Sequence, residues 1–589
     1  MKYKLRNNYP LDANIALEYI LQDRGVTDIE GFLNPSEKCE LNPYDLDNIT
    51  IAAEMLLKHL RASNSIVFVV DCDCDGFTSS SILWLYIKNI FPDADLDFIV
   101  HEHKQHGLSD LIELIENKPS CKLVICPDAA SYDIKEHERL YELGIDCLIL
   151  DHHSLLLDDD GNPIISDFKN TIIVNNQLSE KYNNKSLCGA GVVYKFCEVL
   201  DDILGIKKAS FYKDLVALGE IADVMDRTNS ETNYLMLDGL QHINNLGFRT
   251  LLESQSFSLK EKAEYPYVGL TPIDIAFYIA PLINAITRVG TIREKKTMFY
   301  CFIEPNREVE STKRGAKLGD IELATEQTAR VGKNAKSRQD KLKEKALDVI
   351  DFKIQKNDLL QNNILVIEIN EQDNIPQELT GLVAMGIVSK YNRPCLLVRR
   401  NSNNLLQGSA RSNGNFAEIP NLKQYEEDSG FFEYVAGHDN AHGIGIKANQ
   451  LDNFLSFSNK NLSAAAFENC YTVDYVLDAR ENHFALLLKL ASHPEYFGNH
   501  IEEIKVILTN ISLARIMVMG ANKDSIKISF NGIDFIKFKD MDFINKIMDN
   551  RMATLTVLGR LNLNHFAGQT NLQMFIDDYE LITPSKYDF

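Results

Sequence analysis

The sequence has no CxxC pair, no repeating cysteine spacing and an odd total of eleven cysteines. A disulfide framework needs patterned, pairable cysteines, so a reduced chain is expected. No uninterrupted apolar run approaches the roughly 18 residues of a membrane-spanning helix. The opening "MKYKLRNNYPLDANIALEYI" lacks the apolar centre of a signal peptide. These absences predict a cytoplasmic protein with no membrane partner. Positive charge is scarce as well. Sixty-one Lys and Arg face 84 Asp and Glu, for a net charge of −23. That balance argues against broad, non-specific nucleic-acid binding over the whole surface. It leaves room for a local basic groove and suits a site that collects divalent cations. There is no internal repeat and no long low-complexity segment.

At roughly 150 residues per domain, 589 residues imply about three or four domains. Residues 1–60 look helical, and "NIALEYILQDRG" ends on a glycine stop signal. From 65 to 225, short apolar runs alternate with helical patterns: "SIVFVV" leading to a helix from Ser79, then "KLVICP", "CLILDHH" and "TIIVNN". That alternation predicts βαβ units and a parallel sheet, with ligands at the carboxyl ends of its strands. Residues 307–345 are polar and helix-prone, with eleven Lys or Arg against seven Asp or Glu. A solvated connecting helix is the first reading and a nucleic-acid-facing helix the second. A second α/β unit follows, with "NILVIEI" and "PCLLVRR" as strands and the glycine-rich "VAGHDNAHGIGI" at its end. After about 456, "IKVILTNISLARIMVM", "SIKISFNGIDFIKF" and "ATLTVLGRLNLNHF" read as strands joined by turns. A small barrel of the oligonucleotide-binding (OB) type would suit single-stranded nucleic acid there. Phe530, Phe535 and Phe538 could stack on bases, although core packing is the commoner use of such residues.

Four carboxylate or histidine clusters fall at predicted strand ends. "VVDCDCDGFTSSS" places Asp71, Asp73 and Asp75 at alternating positions before Gly76. "ICPDAASYD" gives Asp128, "CLILDHHSLLL" gives Asp151, His152 and His153, and "ALGEIADVMD" gives Asp223. Like charges this close are mutually costly, and a bound cation removes the cost. Carboxylates with one or two imidazoles suit Mn²⁺ or Mg²⁺ better than Zn²⁺. Cys72 and Cys74 would alternate away from the aspartates into the core. Singly, Asp75 or Asp128 reads as a helix cap and a lone histidine as structural. Four clusters on one sheet favour a dinuclear metal site, the arrangement that serves in-line attack on phosphorus. Both histidines can serve one site only if the chain turns at Asp151.

These residues carry a resemblance to a known family. "DCDCDG", a post-strand aspartate, "DHH" and a later "ADV" resemble the DHH phosphoesterase superfamily. "LQDRGVTDIEGFLNP", "APLINAITRVG", "GSARS", "AGHDNAHG" and "TVLGRLNLNHFAGQTNLQMFIDDYEL" resemble, in order, segments of its RecJ branch of single-strand-specific 5′→3′ DNA exonucleases. The resemblance implies an α/β fold: a parallel-sheet DHH catalytic domain, a long connecting helix, a smaller α/β DHHA1 domain and a C-terminal OB-like β-barrel. The implied boundaries are 1–60 for an N-terminal helical segment, 61–300 for the DHH domain, 301–350 for the connector, 351–456 for DHHA1 and 457–589 for the OB-like domain. It implies two ions, Mn²⁺ or Mg²⁺, held by Asp73, Asp75, Asp128, His152 and Asp223. Asp71 would support the site or reach a metal, and His153 would contact a metal or the scissile phosphate. The nucleophile would be water rather than a side chain. His106, Asn284 and Arg288 would grip the strand, with Ser409, Arg411, Ser412, Gly437 and His438 on the substrate-phosphate side across a cleft.

The chain departs from the family pattern in places. Ala130 stands where glycine is usual, Leu282 where arginine is common after Pro281, and Ala436 in place of the first glycine of Gly-Gly-His. The loop before Gly107 offers His103 and Lys104 instead of arginine. No ligand position is lost, so the implied activity is retained in a divergent relative, of the kind a phage or an unusual bacterium would carry. Single-stranded DNA is the implied partner, with a helicase and a single-strand-binding protein as further partners, in recombination, repair or replication. Two alternatives stand beside it: a DHH phosphodiesterase acting on short oligonucleotides or cyclic dinucleotides, and a non-catalytic replication scaffold.

Overall fold

Lys2–Leu5 form strand β1, paired in parallel with Cys470–Val473, in the computed structural model of the chain. The structure describes residues 1–583 except 104, 110, 155, 159, 160, 415, 521, 567 and 568; the side chains of His438, Ala464, Ala465, His565 and Phe566 also lie outside the described set. Strand β1 corrects the purely helical reading of residues 1–60. All four of its residues are exposed, so no buried periodicity marked it. Helices α1 (Ala16–Asp23), α2 (Ile29–Leu33) and α3 (Ile49–Arg61) follow. By their contacts the residues form two compact units. One comprises Leu21–Arg338 and Glu495–Glu502; the other comprises Met1–Ile20, Gln339–Pro494 and Glu503–Phe589.

The first unit is built on β2 (Ser65–Val70), β3 (Leu96–Val100), β4 (Cys121–Pro127), β5 (Asp146–Asp151) and β6 (Thr171–Asn175). Every pairing is parallel and the order is β3-β2-β4-β5-β6. The strands are β-branched and leucine-rich with buried interiors, as a sheet covered on both faces requires. The chain reverses its direction of travel across the sheet between β2 and β4. Such a switch point opens a crevice at the carboxyl ends of the strands. Helix α4 (Cys74–Ile90) begins five residues before the expected Ser79, because Asp73 caps it by accepting from the Gly76 backbone N–H at 3.0 Å. Cys72 and Cys74 are buried as expected, but on the turn and first helical residue rather than on a strand. Helices α5 (Ile112–Glu116), α6 (Ile134–Glu142), α7 (Gly189–Leu204) and α8 (Lys213–Ala222) complete the part that shapes the site. Part of the polar segment 307–345 is not helical: β7 (Glu308–Glu310) and β8 (Ile321–Leu323) form a hairpin before the helix Ala324–Lys356.

The other unit carries two sheets besides the β1 pairing. Strands β9 (Leu365–Glu368), β10 (Cys395–Arg400), β11 (Leu405–Arg411), β12 (Phe432–His438) and β13 (Ala441–Lys447) are ordered β12-β13-β11-β10-β9. After β14 (Cys470–Val473) come β15 (Tyr475–Asp478), β16 (Lys505–Ser512), β17 (Ile516–Met519), β18 (Ser525–Phe530), β19 (Ile533–Lys537), β20 (Thr554–Phe566) and β21 (Gln569–Ile582). They form a seven-stranded mixed sheet, β15-β16-β20-β21-β19-β18-β17. Phe535 is fully buried there, whereas Phe538 is exposed.

Candidate metal centre

Three of the four clusters leave the carboxyl ends of β2, β4 and β5. The fourth does not follow a strand: Asp223 is the C-cap of helix α8. The apolar run before it is helical, a distinction that a short apolar stretch cannot make by periodicity. All four clusters nonetheless meet. Ligand atoms of Asp75, His152 and Asp223 lie within 4.8 Å of one another. So do those of Asp71, Asp73 and Asp128, and those of Asp128, His152 and His153. The Nε2 of His152 stands 3.2 Å from Asp128 Oδ1, 3.5 Å from Asp223 Oδ2 and 3.8 Å from Asp75 Oδ2. Three carboxylates therefore converge on one imidazole nitrogen, and Asp128 and His152 each belong to two of these groupings.

Each side chain is aimed by its element. Asp75 lies in the first turn of α4 and its oxygens accept from the first backbone N–H groups of α7, Gly189 at 2.6 Å and Ala190 at 3.0 Å. A helix N-terminus favours negative charge, so Asp75 is fixed without a cationic side chain. Asp128 follows β4 with φ +72, an uncommon conformation for a residue with a Cβ. Asp151 supplies the turn that the adjacent histidines require. Its Oδ1 accepts from the backbone N–H groups of His152 and His153 at 2.7 and 3.1 Å and contacts His153 Nδ1 at 2.8 Å; its Oδ2 accepts from Ser131 at 3.1 Å. The two rings end 4.7 Å apart, His152 nearly buried and His153 with 46% of its side chain exposed.

The electrostatics call for a cation. Burial, then the charges of Asp75, Asp73 and Asp71, push the Asp128 carboxyl well above its ordinary range. Burial and the same neighbours Asp75 and Asp73 do likewise to Asp223. Asp128 Oδ1 is buried and accepts no hydrogen bond among the described residues. An oxygen-rich set with one or two imidazoles fits Mn²⁺ or Mg²⁺. Burial opposes charge on His153, but Asp151 overrides it and pushes the imidazole up to about 9. Asp151 thus favours the charged form of His153, whose side chain stays half-exposed.

The remaining expected residues are distributed between the units. His106 sits on Asp71, Nδ1 to Oδ2 at 2.6 Å, and the Gly107 N–H reaches Asp71 Oδ1 at 3.2 Å. Asn284 and Arg288 share one face of the helix Ala280–Val289, and Asp73 offsets part of the burial cost of the Arg288 guanidinium. Ser409, Arg411, Ser412 and Gly437 belong to the other unit. Arg411 and His438 are both register partners of Ala441, at one end of that sheet. Arg411 Nη1 donates to the carbonyls of Ala410 and His442, and Ser412 is only 2% exposed. The His438 side chain lies outside the described residues. Sequence reasoning missed three supports: the buried His101, 3.9 Å from Asp71; the half-buried Asp133, which accepts from the Leu108 N–H at 2.6 Å; and the buried Asn175, which donates to the His153 carbonyl at 3.2 Å. Asp133 ends "ICPDAASYD" and Asn175 lies in "TIIVNN", but nothing in their spacing assigned them to the site. Only contact in space reveals them.

Comparison with known proteins bears on the family and the fold. The model of the DHH family, N-terminal domain, matches residues 65–220, and that of the RecJ OB domain matches residues 473–578. YorK of Bacillus phage SPbeta, provisionally named a single-strand DNA-specific exonuclease, is 33% identical over 595 residues, covering 99% of this chain and 98% of YorK. The single-stranded-DNA-specific exonuclease RecJ of Bacillus subtilis is 22% identical, covering 93% of this chain and 65% of that one. The crystal structure of Thermus thermophilus RecJ in complex with Mn²⁺ shares the fold, with a TM-score of 0.67 at 20% identity over 99% of this chain and 79% of that one. Parallel sheet, DHH turn and converging carboxylates define a protein of the DHH phosphoesterase class. Within that class the chain belongs to the RecJ-like family that includes YorK.

Proposed function

We propose that this chain is an exonuclease that hydrolyses single-stranded DNA 5′→3′ to mononucleotides with two Mn²⁺ or Mg²⁺ ions. The observation that carries the reading is the convergence of Asp75, Asp128 and Asp223 on His152 Nε2. The names of its relatives, the two family matches and the RecJ fold support the substrate. Asp73, Asp75, Asp128, His152 and Asp223 would hold the ions, with Asp71 as a further support. Bound ions would lower the pKa of an attacking water and neutralise charge on the leaving oxygen. Asp128, whose buried Oδ1 accepts no hydrogen bond among the described residues, would offer that oxygen to an ion. His153, its charged form favoured by Asp151, would oppose the negative charge that grows on the phosphoryl oxygens. His106, Asn284 and Arg288 would hold the strand, and Ser409, Arg411, Ser412, Gly437 and His438 its phosphates.

The test incubates the protein and an Asp128→Ala/His152→Ala variant with Mn²⁺ and 5′- or 3′-labelled single strands, duplexes and dinucleotides. Stepwise release of mononucleotides from 5′ ends of single strands is expected, lost in the variant. A preference for dinucleotides, or binding without cleavage, would overturn the proposal.

A further inference from the structure

We propose that Asn499, 276 positions beyond Asp223 in the chain, is a positioning residue for that carboxylate. The inference rests on the metal-ligand reading of Asp223 given above. Helix α8 ends in a Schellman arrangement: the Met225 N–H reaches the Glu220 carbonyl at 3.0 Å and the Val224 N–H reaches the Ile221 carbonyl at 3.2 Å. In that motif the residue after the C-cap adopts a left-handed conformation, normally glycine's place. Here it is Val224, at φ +57. A β-branched side chain is a poor fit to that conformation, so the cap is strained directly after Asp223. Left to itself, such a cap would relax and carry Asp223 with it.

Glu495–Glu502 join this unit although the residues on both sides belong to the other. Gly498 and Ile501 exchange backbone hydrogen bonds at 2.8 and 3.1 Å. Between them, Asn499 and His500 both have positive φ, +44 and +71. This is the pattern of a type I′ turn, in which asparagine is favoured at the first central position. Phe497 and Ile501 are buried beside the turn and anchor it. The tip aims one amide at the strained cap. Asn499 Nδ2 is 3.2 Å from the Glu220 carbonyl and 3.4 Å from the Ile221 carbonyl. Those are the two carbonyls that the Schellman motif uses. The Asn499 amide thus braces the cap and fixes where Asp223 emerges.

The test measures Mn²⁺ binding by calorimetry without DNA, so it does not depend on nuclease activity. Asn499→Gly keeps the positive φ and removes the donor. Its Mn²⁺ affinity should fall roughly fivefold to tenfold, the weight of the one hydrogen-bond donor removed. The isosteric Asn499→Asp, which also lacks the donor, carries the same prediction if the glycine variant does not fold. His500→Gly, at the exposed neighbouring position of the same turn, should bind Mn²⁺ as the parent does. Val224→Gly adopts the cap conformation without strain, so Val224→Gly/Asn499→Gly should recover most of the lost affinity. Parental affinity in both Asn499 variants, an equal loss in His500→Gly, or no recovery in the double variant would overturn the proposal. A parent that binds no Mn²⁺ would instead overturn the metal-site reading beneath it.

Discussion

Asp128, Ala130 and Val224 all carry positive φ, +72, +79 and +57, and all stand at or beside the candidate centre. Backbone held in such regions is maintained by surrounding structure and gathers at working sites. Ala130 occupies the position where the family pattern has glycine, so the departure is a strained one. An alanine in the left-handed region costs on the order of 1 kcal/mol. Ala130→Gly should therefore raise the apparent melting temperature of the catalytic unit, and a fall in a thermal-shift assay would refute the reading. A second residue-level expectation concerns pH. His137 on α6 is fully buried, and burial pushes its pKa down to about 4 from about 6.5. Between those values the unfolded chain binds the extra proton, so stability is full above pH 6.5 and declines as pH falls toward 4. The decline amounts to about 3 kcal/mol for this one group. Denaturation at pH 7 and pH 5 checks it: His137→Leu should lose less stability than the parent over that interval.

At the scale of elements, three glycines let helices approach the carboxylates. A Cβ on Gly76 of α4 would lie 2.5 Å from Asp71 Cβ; one on Gly189 of α7, 2.5 Å from Asp128 Oδ1; one on Gly219 of α8, 2.5 Å from Asp75 Oδ1. None has a positive φ, so close approach rather than turn geometry explains them. Gly219→Ala should displace Asp75 and lower turnover roughly 100-fold, the scale of an ångström's misplacement, with helix content unchanged by circular dichroism. Near-parental turnover would show that the contact is slack. The same elements mark what could be read from the chain. The strands and their terminal clusters were legible because a buried parallel strand is an apolar run and its end exposes chemistry. The helical setting of Asp223 was not, since "ALGEIADV" fits a buried strand or a buried helix equally. Nor could the contacts of Gly189 with Asp128 and of Gly219 with Asp75 be read, because each joins elements far apart in sequence.

At the scale of the whole molecule, neither unit is one continuous segment. A boundary at 456, where the sequence pattern turns to β-structure, separates β1 from its partner Cys470–Val473 and removes Glu495–Glu502 from the catalytic unit. That hairpin does more there than meet α8. Arg227 is fully buried, and burial pushes its guanidinium down to about 9. Its hydrogen bonds go to Asn233 Oδ1, at 3.1 Å from Nε, and to the Phe497 carbonyl, at 3.2 Å from Nη1. Tyr496 packs on Phe32 with ring centroids 5.8 Å apart, and Arg24 Nε donates to the Glu502 carbonyl at 2.8 Å. Cutting the chain at 456 leaves a buried cation short of an acceptor, a loss of about 1–3 kcal/mol before any packing is counted. A fragment of residues 1–456 should therefore melt below the catalytic transition of the full chain and bind Mn²⁺ more weakly. Calorimetry on both proteins decides the matter. Equal melting and equal Mn²⁺ affinity would mean that the catalytic unit is complete without the hairpin, and the sequence-based boundary would stand.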